Sequence, residues 1–330
     1  MEYELENFQI TTRQEKTKQD YMARAIQLSR RAKKELNIQE QDEIDVRQLV
    51  VWLNEHKVNI NAKSWRQYKS AIIYYLENHE DEQAATEAIE YLKNINSKGA
   101  ATHTEKTSSL KMKKISLDDW QKLDTFLKSK PNKWYDELRV WLRASIITGL
   151  RPVEWKNAHF LLHNGQPALK IQNAKHTNGR AHGPSRTLIL EDLRDSDLLA
   201  IKTHLNNVRT FAGMGEYEFF YQGCAIALYK ACRKCWPRRK RHITLYSTRH
   251  QFSANAKSSG MSRLEVAALM GHAVDETAGE HYGRKTSGNE KLGVLPLDED
   301  VQRVRHVTID DFKHKLKAPL DGTGSDIKNI

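Results

Sequence analysis

The sequence contains little cysteine. Only Cys224, Cys232 and Cys235 occur among 330 residues, and so small and odd a number does not suggest a disulfide framework. Cys232 and Cys235 form a CxxC, but no second CxxC or histidine pair follows at zinc-finger spacing. Two thiols three residues apart are more typical of a partly buried helix face. We therefore expect neither disulfides nor a metal site.

Long hydrophobic runs are also missing. No apolar stretch approaches the roughly 20 residues that span a bilayer, and the N-terminal MEYELENFQITTRQEK lacks the apolar segment of a signal peptide. Hydrophobic residues make up 39% of the chain and charged residues 29%, as in a soluble globular protein. We expect no association with membranes and a location in the cytoplasm.

Positive charge is what the chain has in excess. Its formal net charge is +11 and its pI is ≈ 9.4, which points to a polyanionic partner. Nucleic acid is the usual one, because Lys and Arg contacts with phosphates release counterions. Charge alone leaves a basic protein without such a partner equally open.

The first part of the chain carries only helical patterns. Apolar residues recur three and four apart, which predicts amphipathic helices at 21–36, 45–56, 64–78 and 82–95. We predict a helical domain over 1–95, followed by a linker over 96–114, where a Ser/Thr/Lys-rich stretch shows no periodicity. Lys63, Arg66 and Lys69 recur around Trp65 and Tyr68. This face either lies on DNA or is a plain polar surface.

The second part, 115–295, begins with helices. Ser116 and Asp119 predict a capping box that opens a helix, and a second helix over about 134–148 ends at Gly149. Further helical patterns follow at 195–211, 218–236, 247–259 and 262–270. Ser262 and Glu265 predict a second capping box at the start of the last of these. A C-terminal tail over 296–330 completes the chain.

Short strand-like runs interrupt these helices. They are AHFLL (158–162), PALKI (167–171) and RTLIL (186–190), and Asn-Gly pairs lie between them. Asn-Gly is a strong signal for a tight turn. The predicted fold class is therefore mostly α with a small three-stranded antiparallel β-sheet.

The residues that suggest chemistry lie in two blocks, TGLRPVE (148–154) and LYSTRH (245–250), the second continuing to LMGH (269–272) and EHYGR (280–284). Arg151 follows a helix end, and Glu154 can hold its guanidinium. Tyr246 and Arg249 lie three apart at a helix start, so they point the same way.

Together with His272, which follows Gly271, these arginines could form a cradle for one phosphate, because a guanidinium binds two phosphate oxygens at once. Such a cradle would stabilise a pentacoordinate phosphorane without a metal. Tyr282 is the candidate nucleophile, since neighbouring cations can activate a phenol.

These four motifs, TGLRPVE, YSTRH, LMGH and the final HY, resemble in order and spacing the catalytic domain of the tyrosine recombinases, or phage integrases, over roughly 150–285. The resemblance implies a two-domain architecture, with a helical core-binding domain before an α/β catalytic domain. The catalytic set that it implies comprises Arg151, Lys175, Tyr246, Arg249, His272 and Tyr282, with Glu154 in support.

Two members of this set need comment. The family's lysine lies near a hairpin tip, which favours Lys175 over Lys170 on the same predicted strand; it would protonate the leaving oxygen. Tyr246 stands where the family most often has histidine. A phenol can donate a hydrogen bond to phosphate but supplies no charge, so the proton-transfer role of this position stays open.

The resemblance also implies a mechanism. Tyr282 would attack a DNA phosphodiester to form a 3′-phosphotyrosyl link, and the freed 5′-hydroxyl would attack a partner duplex. No cofactor, ATP or metal is needed, because the link keeps the energy of the phosphodiester bond. Four protomers would act on two duplexes in the nucleoid, and the C-terminal segment would dock on a neighbouring protomer. Integration, excision and multimer resolution stay open as the biological role.

Other interpretations remain. The basic run of Arg238, Arg239, Lys240 and Arg241 either contacts DNA phosphates or forms a solvated loop. A type IB topoisomerase would share the catalytic set, and a non-catalytic DNA-binding regulator could keep the fold. A His-Tyr relaxase is disfavoured, because no two histidines stand two residues apart.

Overall fold

The computed structural model describes residues 15–102, 110–174, 176, 181–276 and 282–306. The chain divides into two units, Met1–Lys106 and Thr107–Ile330. No helix in these described stretches is both long and apolar enough to cross a membrane.

The first unit contains the four helices that the periodicity predicted. They are α1 (Glu15–Glu35), α2 (Val46–Glu55), α3 (Ala62–Leu76) and α4 (Glu82–Asn94). The side chains of Asp45, Asn61 and Asp81 accept hydrogen bonds from backbone N–H groups at the starts of α2, α3 and α4, which satisfies donors that a helix leaves free. Leu49 and Ile72 are fully buried between these helices, so the apolar stripes form one core.

The helices of the second unit follow the predicted pattern up to α10. They are α5 (Leu117–Ser129), α6 (Tyr135–Thr148), α7 (Asp195–Gly213), α8 (Tyr217–Cys235), α9 (Ser247–Ser258) and α10 (Arg263–Leu269). A short helix that the patterns did not predict, α11 (Asp298–Gln302), lies in the predicted tail. A 3-10 turn, Pro152–Asn157, follows α6. The three cysteines lie buried on α8 with free thiols, as expected for a helix face packed on the core.

The sheet of the second unit has four strands, so the prediction of three was wrong. Strands β1 (His159–His163), β2 (Gln166–Gln172), β3 (Ser185–Leu190) and β4 (Val294–Pro296) pair antiparallel in that order. The first three are the predicted ones. The fourth pairs Leu188 with Pro296 and Leu190 with Val294.

Two properties explain why the sequence patterns did not predict β4. It is only three residues long and ends in Pro296, and a proline argues against a central strand but is tolerated at a sheet edge. Its partner β3 lies about a hundred residues earlier, so no local turn signal links the two strands.

One predicted capping box forms only in part. Ser116 accepts from the N–H of Asp119, but the Asp119 carboxylate accepts from both terminal nitrogens of Arg239, at 3.0 and 2.9 Å. A bidentate guanidinium outcompetes a backbone amide for a carboxylate. At α10, by contrast, Ser262 and Glu265 bond each other's backbone N–H groups as predicted.

The described parts of the predicted linker and tail form hydrogen bonds with backbone N–H groups as donors. The N–H of Ala101 donates to Ile60 in the first unit, and that of Met112 donates to His242 in the second. Within 296–306, the Asp300 carboxylate accepts from the N–H of Thr187 on β3. The rest of the predicted tail, 307–330, and its expected docking on a neighbour lie outside the described residues.

Candidate active site

A buried carboxylate, that of Glu154, organises three arginines in the second unit. Its oxygens accept from the backbone N–H of Arg151 at 2.8 Å, from Arg151 Nη1 at 2.6 Å and from Arg186 Nη2 at 2.8 Å. Arg249 Nη1 lies 3.8 Å away. Burial raises the pKa of Glu154, but Arg186, Arg151 and Arg249 outweigh it and hold the pKa well below its usual range. Three guanidinium groups thus face one carboxylate, so the cluster has a net positive charge.

Arg249 is fixed in place by backbone carbonyls. It lies in the first turn of α9 and is 0% exposed. Its terminal nitrogens donate to the carbonyls of Gly149, at the end of α6, and Met270, at the end of α10. One side chain therefore joins the ends of three helices, and its position is set by their packing.

Two glycines allow this close packing. Gly149 has a φ of +66°, and a Cβ there would overlap the Phe252 ring on α9. Gly271 has a φ of +63°, and a Cβ there would overlap the side chains of Asn173 and Arg186. Both positions need the left-handed conformation and the missing side chain that glycine provides.

His272 lies beside the arginines as a neutral base. Its Nε2 is 3.2 Å from Arg249 Nη2. A guanidinium can only donate, so Nε2 must accept and the ring proton lies on Nδ1. Burial, then the charges of Arg249 and Arg151, hold the pKa of His272 far below its ordinary value. The imidazole is therefore uncharged at neutral pH.

The phenol of Tyr282 lies directly over this cluster. Its ring centroid is 5.0 Å from that of His272, 5.1 Å from that of His250 and 5.4 Å from the guanidinium carbon of Arg249. Its hydroxyl lies 2.8 Å from that of Tyr246. Tyr282 thus packs near two imidazole rings, with its oxygen against a second phenol.

The two phenols differ in acidity. Burial raises the pKa of Tyr282, but the charge of Arg249, the hydrogen bond with Tyr246 and the charge of Arg151 outweigh it and lower that pKa. For Tyr246, burial dominates and raises the pKa. Tyr282 is therefore the phenol that loses its proton first.

Several buried nitrogens around Tyr282 lack a hydrogen-bond partner within the described part of the chain. They are Nε of Arg151, Nε of Arg249 and Nδ1 of His272. A buried donor without a partner is costly, by about 1–3 kcal/mol for a neutral group. A multivalent anion beside Tyr282 would satisfy such donors, and the local positive charge would favour it.

The segment that carries Tyr282 is anchored on α9. The carbonyl of Gly283 accepts from Lys257 Nζ at 2.9 Å, and a Cβ at Gly283 would overlap the carbonyl of His250. The N–H of Asn289 donates to Asn255 Oδ1 at 3.1 Å. The chain after Tyr282 therefore runs against the same helix that supplies Tyr246 and Arg249.

Most of the predicted catalytic residues are brought together here. Those that meet are Arg151, Glu154, Tyr246, Arg249, His272 and Tyr282. Lys175 lies outside the described residues. The described residue before it, Ala174, lies at the cluster, because its N–H donates to Glu154 Oε1 at 3.4 Å.

The residues predicted to bind DNA differ in their exposure and in their hydrogen-bond partners. Lys63 and Arg66 on α3 are exposed. The Lys69 ammonium donates to the carbonyls of Lys93 at 3.3 Å and Ile95 at 2.7 Å, so it caps the end of α4. Burial lowers its pKa.

In the basic run between α8 and α9, Arg239 is less exposed than its neighbours. Arg238, Lys240 and Arg241 are exposed. Arg239 is half-buried, because it binds Asp119 and lies over the Trp236 ring, 4.4 Å from its centroid.

Sequence reasoning missed two residues of this site, Arg186 and His250. Each carried a signal. Arg186 has the same strand parity as Leu188 and Leu190, so alternation placed its side chain on the buried face of β3. His250 follows Tyr246 by four residues on α9, which puts both rings on one helix face.

Comparisons with known proteins gave structural matches alone. No family model matches the sequence, and no curated protein matches it. Among solved structures, the chain is similar to lambda integrase (residues 75–356) bound to DNA, with a TM-score of 0.48 and 17% identity over 85% of this chain and 92% of that one.

It is also similar to Tn1549 transposon integrase in complex with a circular intermediate DNA (TM-score 0.42, 12% identity, 87% of this chain and 91% of that one). A third match is XerH site-specific recombinase bound to a palindromic difH substrate (TM-score 0.40, 16% identity, 71% and 67%). All three are tyrosine recombinases, the family that the sequence motifs resemble.

Proposed function

We propose that this chain is a site-specific DNA recombinase, an integrase that cleaves and rejoins DNA strands through a covalent 3′-phosphotyrosyl intermediate on Tyr282. One observation carries the proposal. The Tyr282 phenol, with its lowered pKa, lies against Arg249 and His272, and buried donors of both lack partners in the described chain. An attack on a phosphodiester needs an activated nucleophile and donors that stabilise the charge developing on the phosphate oxygens, and this arrangement offers both.

In this mechanism the arginines bind the scissile phosphate. Arg151 and Arg249 donate to its non-bridging oxygens, and the Nδ1 proton of His272 provides a further donor. Glu154 holds the two guanidinium groups in position without cancelling their charge. Because these donors are fixed before substrate arrives, stabilising the phosphorane requires little reorganisation.

The leaving 5′ oxygen needs a proton, for which we propose Lys175. The resemblance supports this role, and so do the contacts of the residues just before Lys175, since Ala174 and Asn173 bond Glu154 and Arg186. The phosphotyrosyl bond keeps the energy of the broken bond, so rejoining needs no external energy source. A 5′-hydroxyl of a partner duplex reverses the step.

We propose that DNA binds across the basic surface formed by the exposed Arg238, Lys240 and Arg241, with Lys63 and Arg66 of the first unit as further phosphate contacts. Arg239 and Lys69 have structural partners that they would have to leave. A lambda integrase tetramer has been seen on a Holliday junction. For this chain we propose the same homotetramer on two duplexes, within the nucleoid.

The test is covalent capture. The protein is incubated with a library of nicked duplexes carrying a randomised segment, and adducts that survive a denaturing gel are isolated and sequenced. Wild type should form adducts and Tyr282→Phe should not. Tyr91→Phe, which removes a phenol of the first unit that bonds Asn54, is the matched control and should retain adducts.

Other results would favour the remaining interpretations. Adducts without sequence enrichment, together with relaxation of an arbitrary supercoiled plasmid, would indicate a type IB topoisomerase. DNA binding with no adduct under any condition would indicate a non-catalytic regulator. Adducts that persist in Tyr282→Phe would show that the nucleophile is another residue.

A further inference from the structure

The hydroxyls of Tyr246 and Tyr282 form a phenol pair in the candidate active site. They lie 2.8 Å apart, and both side chains are half-buried. A phenol has a single O–H, so each oxygen can donate only one hydrogen bond. If Tyr246 donates to Tyr282, it cannot at the same time donate to a phosphate oxygen.

The surroundings of the two phenols decide which one donates: Arg249 and Arg151 act on both, but burial outweighs them only at Tyr246. The guanidinium carbon of Arg249 lies 5.4 Å from the ring centroid of Tyr282, and the charges of Arg249 and Arg151 favour a negative charge on the Tyr282 oxygen. A hydrogen bond to an ionised acceptor is stronger than one to a neutral acceptor. Tyr246 is therefore the donor and Tyr282 the acceptor.

The rings are also held so that the pair stays in contact. Tyr246 meets His250 edge-on at 5.5 Å between centroids, and His250 in turn meets Tyr282 at 5.1 Å. Burial, then the charges of Lys113 and Arg249, lower the pKa of His250 to about 4. At neutral pH the His250 ring is therefore uncharged. It packs against both tyrosine rings without attracting the negative charge of the Tyr282 phenolate.

On the basis of the proposed function, we propose that Tyr246 is a catalytic residue that acts on the nucleophile: it donates a hydrogen bond to the Tyr282 oxygen and stabilises the phenolate that attacks phosphorus. This differs from the role that the sequence suggested for Tyr246, which was to bind the phosphate.

The cleavage step exchanges one bond to phosphorus for another and moves two protons. Tyr282 releases its phenolic proton to solvent, its oxygen forms a bond to phosphorus, and the bond from phosphorus to the 5′ oxygen breaks. The 5′ oxygen takes a proton from the general acid, for which Lys175 is proposed. Tyr246 keeps its own proton, and its hydrogen bond weakens as the charge of Tyr282 passes to the phosphorane.

The first experiment needs no DNA. Tyrosine labelled with ¹³C at Cζ reports the ionisation of each phenol by NMR, and Tyr282→Phe assigns the Tyr282 resonance. In Tyr246→Phe the Tyr282 titration should move up by about one to two pH units, the value of one hydrogen bond to a charged group. Tyr217→Phe is the matched control. It removes a buried hydroxyl that donates to the Pro152 carbonyl, and should leave the titration of Tyr282 in place.

The second experiment measures single-turnover adduct formation against pH, with the nicked duplexes obtained by covalent capture. Tyr246→Phe should slow the reaction roughly tenfold to hundredfold at neutral pH. The deficit should shrink as the pH rises, because the unassisted phenol then ionises by itself. Affinity for the duplex should be unchanged. Tyr246→Leu, which also leaves no hydrogen-bond donor at this position, should show the same pH-dependent deficit and serves if Tyr246→Phe does not fold.

The results separate this proposal from the proposed function. An unshifted Tyr282 titration, or a loss of rate that is the same at every pH, would overturn the role of Tyr246 while adduct formation by wild type upheld the recombinase. A shifted titration without any adduct from wild type would overturn the proposed function and, with it, the catalytic role of Tyr246.

Discussion

Arg186 holds together three elements that form the site. Its guanidinium is fully buried and bonds Glu154, the side chain of Asn173 and the carbonyl of Leu269. It thereby joins the 3-10 turn, the end of β2 and the end of α10. Burial lowers its pKa, while the charge of Glu154 opposes that shift. A buried charge of this kind is tolerated only with partners on every side.

Arg186→Met should therefore lower both stability and adduct formation. Loss of one partner of a buried ion pair costs about 3–5 kcal/mol, and the lower part of that range applies, because Arg151 still neutralises Glu154. Thermal unfolding would measure the loss. Arg194→Met removes an exposed arginine whose partner Asp197 keeps its ion pair with Arg143, so it should change stability by less than about 1 kcal/mol. Equal losses in the two variants would contradict the importance of Arg186.

At the scale of elements, the site depends on how closely α6 approaches α9. Gly149 ends α6 in the left-handed conformation and lies against the Phe252 ring, while its carbonyl accepts from Arg249. The helix end thus supplies both the space and the acceptor that hold the arginine. A side chain at this position would push the two helices apart and tilt Arg249 away from Tyr282.

Gly149→Ala tests this packing. It should destabilise the protein by more than the roughly 1 kcal/mol of a left-handed alanine, and it should also slow adduct formation. Gly215→Ala is the matched control, since Gly215 has a φ of +75° but open space where a Cβ would lie. Calorimetry and single-turnover rates would compare the two. Similar stabilities with an unaffected rate for Gly149→Ala would show that the contact with Phe252 is not needed.

At the scale of the whole molecule, residues 283–306 pack against the second unit, to which they belong. Gly283 and Asn289 bond α9, β4 extends the sheet, and Asp300 bonds the edge of β3. Tyr282 therefore reaches the arginine cluster of the protomer to which it belongs. We expect each protomer to cleave DNA with its own Tyr282 and its own Arg249.

Mixing two inactive variants checks this expectation. Arg249→Gln and Tyr282→Phe, combined on one DNA substrate, should form no adducts, because neither protomer holds a complete site. A mixture of wild type with Tyr282→Phe should form adducts on the wild-type chain alone, and provides the control. Restored cleavage in the first mixture would show that protomers exchange their nucleophiles.

The sequence by itself determined the elements and the chemistry of the site. Periodicity, caps and turns are local signals, so they placed helices α1–α10 and the first three strands. The motifs around Arg151, Arg249, His272 and Tyr282 named residues that the fold then brought together. Net charge indicated the kind of partner because it does not depend on conformation.

Tertiary structure alone decided what depends on contacts between distant parts of the chain. β4 is a strand only because the edge of β3 is open to it. Arg186 belongs to the site because it reaches Glu154 and α10 across the core. The Lys69 ammonium is engaged in a hydrogen bond because the carbonyls at the end of α4 lie beside it. The pairing of Tyr246 with Tyr282, 36 residues apart, likewise depends on how the chain returns to α9, which no local pattern encodes.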